Sequence, residues 1–246
     1  MGDEIEGSTL SKADVLPYIL SKESDISRDE PEIAANISQQ LQHMGLSTWS
    51  LSIIRRLRNA IHKLKPSRVI EVGAGIGHRS AWLYDLFTNH TKPERYDLVE
   101  QGAKFAVILH RLMTRYESED WTNIVVGEVS SLVAETTAWK AASATGLEVG
   151  DSPLALNSDV IIVDSKIESL AESIDSLLPI LSDGGVLFTC EPPVPTGDID
   201  ENDKEMMKHV NGFNSWIELI SRCQETHYVA FTPLFEGTLV AFLAKN

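Results

Sequence analysis

The sequence predicts a doubly wound α/β fold: a seven-stranded, mostly parallel sheet with a C-terminal antiparallel hairpin and an N-terminal helical extension. Three observations lead there. Five short apolar runs alternate with helix-patterned stretches between residues 68 and 222, and unbroken apolar runs of that length suit strands covered on both faces. Two more apolar runs end the chain with only Pro233-Leu-Phe-Glu-Gly237 between them, too short for a helical crossover, so this last pair must be antiparallel. With 246 residues, 43% apolar and 23% charged, the chain can bury a sizeable core and is neither fibrous nor wholly disordered.

Taken in order, the first 50 residues read as a helical extension and residues 51–246 as the main domain. Ser11 can cap a helix carrying Val15, Leu16, Ile19 and Leu20, although Pro17 inside it argues for a kink or a later start. Ile33, Ile37, Leu41 and Met44 recur at helical spacing before Gly45, a plausible stop. Leu51, Ile53, Ile54, Leu57, Ile61 and Leu64 form a third stripe, ended by Pro66, with Arg55, Arg56, Arg58, His62 and Lys63 on the opposite face. In so acidic a chain that basic face is expected to be solvated, the alternative being a contact with RNA or a partner.

Strands are then expected at Arg68–Val72, Tyr96–Glu100, Asn123–Val126, Asp159–Val163 and Gly185–Thr189. The helices between them are expected at Ser80–Thr88, Lys104–Tyr116, Ser131–Ala142 and Glu168–Leu178. A long helix, Glu205–Arg222, leads into the terminal strands Tyr228–Thr232 and Thr238–Leu243.

Lys and Arg number 21 against 36 Asp and Glu, a formal net charge of −15. Such a surface repels phosphate backbones, which disfavours nucleic acid and favours a small-molecule partner. No apolar run is long enough to span a bilayer, and Met1–Glu6 is acidic where a signal peptide is basic and then apolar. A cytoplasmic protein with no membrane partner is expected, and a homodimer is compatible with the sequence. Cys190 and Cys223 are too few for a disulfide framework and are expected to be reduced, and no Cys/His cluster has metal-ligand spacing.

In a sheet of this kind ligands bind beyond the carboxyl ends of the strands, where the strand order reverses. After the first strand stands Glu71-Val-Gly73-Ala-Gly75-Ile-Gly77: an acid, then three glycines that let the backbone turn tightly beside a ligand. A dinucleotide site requires G-x-G-x-x-G/A, and here the third small residue would be His78. An acid beside the turn also repels a pyrophosphate and suits a cationic, zwitterionic ligand. Glu100 ends the second strand, where a carboxylate can accept from both hydroxyls of a ribose. Gly127-Glu128 follows the third strand, placed for an adenine amino group, and Asp164 follows the fourth.

Together the glycine loop, Glu100, Gly127-Glu128, Asp164 and the terminal hairpin resemble the Rossmann-like class I S-adenosylmethionine-dependent methyltransferases over residues 45–246. The helical leader, the turn Leu178–Gly185 and the ending Pro233–Ala241 resemble the catechol-type O-methyltransferases. The resemblance implies S-adenosyl-L-methionine as cofactor, bound by Glu71, Gly73, Gly75, Gly77, Glu100, Glu128 and Asp164. It also implies transfer of a methyl group to an oxygen of a small-molecule acceptor, with Lys166, Glu191 and His78 as acceptor-side groups and Lys166 and Glu191 the catalytic candidates. Metal-dependent members of that family place an Asp-Asn pair after the fifth strand. Here Cys190-Glu191 stands there, and a thiol is a poor magnesium ligand, so strict magnesium dependence is not expected and no residue is assigned to a metal. The family's serine after the glycine loop is offset, Ser80 standing one residue late. The rival readings are an RNA methyltransferase of the same family, an NAD-dependent oxidoreductase and a non-catalytic descendant of the fold.

Overall fold

The computed structural model describes residues 11–22, 26–146, 150–197 and 202–245; the acidic stretch Met1–Glu6 lies outside them. Seven strands form one sheet in the order β3-β2-β1-β4-β5-β7-β6. They are β1 (Arg68–Val72), β2 (Arg95–Glu100), β3 (Thr122–Val126), β4 (Ser158–Val163), β5 (Leu181–Cys190), β6 (His227–Leu234) and β7 (Gly237–Ala244). The first five pair in parallel, whereas β7 lies antiparallel to both β5 and β6. From β1 the chain winds outward to β2 and β3, then returns to β4 on the other side of β1. The reversal therefore falls between β1 and β4, and the crevice opens beyond Val72 and Val163, which are register partners.

Alternation along the strands divides the core in two. One face carries Val69, Tyr96, Leu98, Val160 and Ile162, and the other Ile70, Val72, Val99, Ile161 and Val163. Glu71 falls on the first face, in step with Val69. That face is covered by α3 (Leu51–Leu64), α4 (His78–Asn89) and α5 (Ala103–Arg115). The second is covered by α6 (Val129–Ala144), α7 (Ile167–Leu177) and α8 (Lys204–Thr226), with Trp216 and Phe242 packed edge to face at 6.2 Å. Among the described residues no helix is long and apolar enough to cross a membrane.

The leader belongs to the first core. Helices α1 (Lys12–Ile19) and α2 (Glu32–Met44) bury Leu16, Ile19, Ala34, Ile37 and Leu41 in the cluster that holds Trp82 and Leu83. Gly45 ends α2 in the left-handed conformation, φ 63°. Helix α1 starts at Lys12 and runs through Pro17, contrary to the later start its proline suggests. Ser11 makes no capping bond and donates instead to Asp14 Oδ2.

The basic face of α3 is not a solvated face. None of its five basic side chains is fully exposed, and Arg58 is 4% exposed. The leader covers it: Arg56 donates to Leu20 O, Arg58 to Ser27 O at 3.0 Å and Lys63 to Tyr18 O at 3.0 Å. Helical periodicity marks a polar face but says nothing of carbonyl groups brought back from 31 to 45 residues earlier.

Two boundaries also differ. β5 begins at Leu181 because Leu181 pairs with Ser158 before Ser182–Gly185 bulge out and pairing resumes at Val186 with Val160. The turn expected there is thus an irregularity inside a strand. β6 runs through Pro233, which is tolerated because β6 is the last strand of the sheet and pairs with β7 alone. Only Phe235 and Glu236 remain to turn the hairpin.

Candidate active site

The loops after β1, β3 and β4 leave the sheet at one level. Gly73 N donates to Val99 O, Asp164 N to Val72 O and Gly127 N to Glu100 O. The first loop, Gly73–Gly77, rises from β1 into α4. Gly73 is held at φ 72°, and a Cβ there would lie 1.9 Å from the carbonyl oxygen of Asp164. Gly75 also has a left-handed φ of 59°, but a Cβ there would meet nothing within 4 Å. The first glycine therefore lets β1 and β4 close together, whereas the second leaves open space above the loop.

Beneath the loop lies an ion cluster. Glu71 is fully buried and accepts from Arg79 Nε at 2.9 Å and from the hydroxyl of Tyr96. Arg79, on the first turn of α4, is 3% exposed. Its Nη1 donates to Asp164 Oδ2 at 2.8 Å and its Nη2 to Gly73 O at 3.1 Å. The guanidinium lies 4.4 Å from the ring centre of Trp49, within cation–π range. Burial pulls the pKa of Arg79 down, but Glu71 and Asp164 more than offset it and raise it above its ordinary value. The three ionised groups carry one net negative charge.

Glu100 stands at the end of β2, its Oε2 accepting from Gly75 N at 2.8 Å and its Oε1 from Gln101 N at 3.1 Å. This ties it to the open part of the glycine loop. Glu128 is exposed at the start of α6 and accepts from Gln101 Nε2 at 2.7 Å. The side chains after β2 and β3 are thus linked through Gln101.

Two small clefts flank Asp164. One, of about 50 Å³, is lined by the loop from Gly73 to Ile76, by His78 and Arg79, and by Ser47 and Thr48 of the connector between α2 and α3. The connector is fastened by Thr48 Oγ1 to His78 Nδ1 at 3.2 Å, while His78 Nε2 meets Glu30 at 3.1 Å. His78 thus faces the leader rather than an acceptor. Burial lowers its pKa, partly offset by Glu30. The other cleft, of about 170 Å³, is lined by Trp49, Asp164, Thr189, Cys190, Glu191 and Pro193 among others.

The sequence-derived residues separate on these facts. Gly73, Gly75, Asp164 and Glu191 line the two clefts, and Glu100 anchors the loop between them. Gly77 is packed behind the loop, where a Cβ would approach Leu112 to 2.5 Å. Glu71 lies below the loop and acts on it through Arg79. Lys166 is exposed at the N-terminal end of α7 and does not line the Asp164 cleft. Ser80 is fully buried with its hydroxyl unpartnered. The residue that sequence reasoning missed is Arg79. Its signal was present: nearly every neighbour in α4 from Ala81 to Phe87 is apolar and buried, and a cation in a helix buried all round requires a buried acid.

The residues do not fit a magnesium site. Asp164 is committed to the Arg79 guanidinium, and burial, aided by Asp164, pushes the Cys190 thiol well up, so it stays protonated. Among the described residues no group of three His, Cys, Asp or Glu is placed to hold a metal. Cys190 and Cys223 are free thiols.

Sheet order, antiparallel hairpin and the glycine loop at the reversal define the class I methyltransferase fold, and solved structures share it. The S-adenosylhomocysteine-bound methyltransferase PaMTH1 of Podospora anserina superposes with a TM-score of 0.61 at 16% identity, covering 100% of both chains. The O-methyltransferase TomG of Streptomyces achromogenes, solved with S-adenosylmethionine, gives 0.64 at 17% identity over 96% of this chain and 97% of its own. An O-methyltransferase of Bacillus cereus in complex with S-adenosylhomocysteine gives 0.61 at 16% identity over 93% and 96%. No protein-family model and no curated protein sequence matches the chain.

Proposed function

We propose that the chain is an S-adenosylmethionine-dependent methyltransferase acting on an oxygen of a small acceptor. The observation that carries this reading is the Gly73–Gly77 loop at the strand-order reversal, with Glu100 bonded to Gly75 N and Asp164 closing the far side. Support comes from the neighbours solved with the donor or its product. The Glu71–Arg79–Asp164 cluster, with one net negative charge, suits a sulfonium ligand better than a pyrophosphate.

On this reading the open space above Gly75 takes the donor, Glu100 accepts from the ribose hydroxyls and Glu128 lies on the adenine side. Arg79, its guanidinium spent on Glu71, Asp164 and Gly73 O, holds the loop in place beneath the donor. A cleft of about 50 Å³ is far below the roughly 300 Å³ or more of usual ligand pockets, so Ser47–Trp49 must move aside for the donor to enter. The acceptor occupies the cleft lined by Asp164 and Glu191. Its oxygen attacks the sulfonium methyl in line, its proton passes to Glu191, and S-adenosylhomocysteine leaves. Lys166 has no part in this step. A formal charge of −15 speaks against an RNA substrate.

Calorimetry with S-adenosylmethionine, S-adenosylhomocysteine and NAD tests the reading. Heat is expected from the first two and none from NAD; micromolar NAD binding without S-adenosylhomocysteine heat would overturn it. Glu100→Ala is expected to weaken donor binding by about 1.5 to 3 kcal/mol, the usual worth of hydrogen bonds to a charged group, or roughly ten- to a hundredfold. Unchanged affinity in this variant would remove Glu100 from the donor site.

A further inference from the structure

The proposed methyl transfer gives His78 no task, yet both of its ring nitrogens are engaged. The side chain is 3% exposed on the first turn of α4, with Nε2 3.1 Å from Glu30 Oε1 and Nδ1 3.2 Å from Thr48 Oγ1. Burial lowers its pKa, which keeps the ring neutral near pH 7. A carboxylate can only accept, so Nε2 carries the hydrogen, Nδ1 holds the lone pair and the Thr48 hydroxyl donates to it.

Thr48 belongs to the connector between α2 and α3. One end of the connector turns at Gly45, φ 63°, where a Cβ would meet nothing within 4 Å. The other end is tied by Ser50 Oγ, which donates to Phe235 O in the β6–β7 turn at 3.1 Å. Among the described residues no backbone–backbone hydrogen bond holds residues 47–49 between these ends. Side chains hold them instead: the Thr48 hydroxyl on His78, and the Trp49 ring in the first core and on the Arg79 guanidinium at 4.4 Å. Ser47 and Thr48 line the cleft of about 50 Å³ beside the glycine loop, whereas Trp49 lines the cleft beside Glu191. The Thr48 bond is therefore the polar fastening on the donor side.

We propose that the Thr48–His78 bond is a latch that closes the connector over the donor cleft and is broken in the donor complex, so that it opposes donor binding. The inference rests on the methyltransferase reading. A cleft of about 50 Å³ must grow several-fold toward the roughly 300 Å³ of usual ligand pockets, and the connector is the wall that can retreat. At 3.2 Å the bond is at the long end of the usual range, so a retreat of about 0.5 Å breaks it. His78 cannot follow, because it is buried in α4 and held from its other nitrogen by Glu30. A ligand that requires the open form binds more weakly by the fraction of molecules that are open, and loss of the latch raises that fraction.

Thr48→Val removes the hydroxyl and keeps the branched shape, while Thr48→Ser keeps the hydroxyl. Both are compared with wild type as full chains, by calorimetry with S-adenosylhomocysteine and by limited proteolysis under conditions where closing outpaces cleavage. Thr48→Val is expected to bind S-adenosylhomocysteine about two- to tenfold more tightly, the net worth of one hydrogen bond. It should also be cut within residues 45–50 faster by a similar factor, since cleavage then follows the open fraction. Thr48→Ser should match wild type in both. Where wild type binds S-adenosylhomocysteine, equal or weaker binding by Thr48→Val overturns the latch, because a merely structural hydroxyl would weaken binding when lost. Cleavage of Thr48→Val at the wild-type rate overturns it as well. Faster cleavage of Thr48→Val with no S-adenosylhomocysteine heat from any of the three proteins overturns the donor reading and leaves the latch in place.

Discussion

Gly73→Ala is expected to cost about 2 to 6 kcal/mol of folding stability, a large part of the roughly 5 to 15 kcal/mol that holds a domain together. Two effects add. A non-glycine residue at φ 72° is strained by about 1 to 3 kcal/mol, and overpacking adds about 1 to 3 kcal/mol. The clash is with backbone, 1.9 Å from Asp164 O and 2.9 Å from its carbonyl carbon. Neither side can yield, since Gly73 N is bonded to Val99 O and Asp164 N to Val72 O. Gly75→Ala is the control. Its φ is also left-handed, but it meets nothing within 4 Å, so only the strain of about 1 to 2 kcal/mol applies. Urea unfolding of both variants decides it: equal losses would mean that the closeness of β1 and β4 is not what demands a glycine at 73.

Much of this architecture was legible because parallel strands buried on both faces are written as unbroken apolar runs. Val69-Ile70 and Val160–Val163 could not be read otherwise, and once those strands were placed their carboxyl ends pointed to Gly73, Glu100 and Asp164. What stayed hidden depended on distant partners. Ser182–Gly184 has turn composition, and only pairing of Leu181 with Ser158 makes it part of a strand. The polar face of α3 is the same string of letters whether water or the Leu20 and Ser27 carbonyls lie opposite. The site divides in the same way. Glycine spacing and strand-end acids are local signals, whereas the link from Arg79 through Glu71 to Tyr96 and across to Asp164 joins β1, β2, β4 and α4, which share no local pattern. Lys166 stands two residues after Asp164 in the sequence, but the chain enters α7 there and its side chain is exposed, a placement that the next helix sets and spacing alone does not give.

Arg79→Met is expected to destabilise the fold by about 3 to 5 kcal/mol, the usual cost of removing one partner from a buried ion pair. Methionine approximates the length of the arginine stem, so the loss is one of charge more than of packing. Glu71, fully buried, would keep the Tyr96 hydroxyl but lose its cation, with Asp164 adding a second negative charge nearby. Two further measurements separate charge from volume. Glu71→Gln/Arg79→Met removes both buried charges, and it should recover most of the lost stability because the one carboxylate left without its cation, Asp164, has a side chain 36% exposed and reaches water. The deficit of the single variant should also depend on pH with a definite sign. An unpaired buried carboxylate binds its proton more readily folded than unfolded, so the folded state gains on acidification. The gap between wild type and Arg79→Met should then narrow as the pH falls toward the ordinary carboxylate range near 4 to 5 and widen as it rises. The double variant should lack this dependence. If it proves as unstable as the single variant at every pH, the cluster is held by the shape of the arginine and not by its charge.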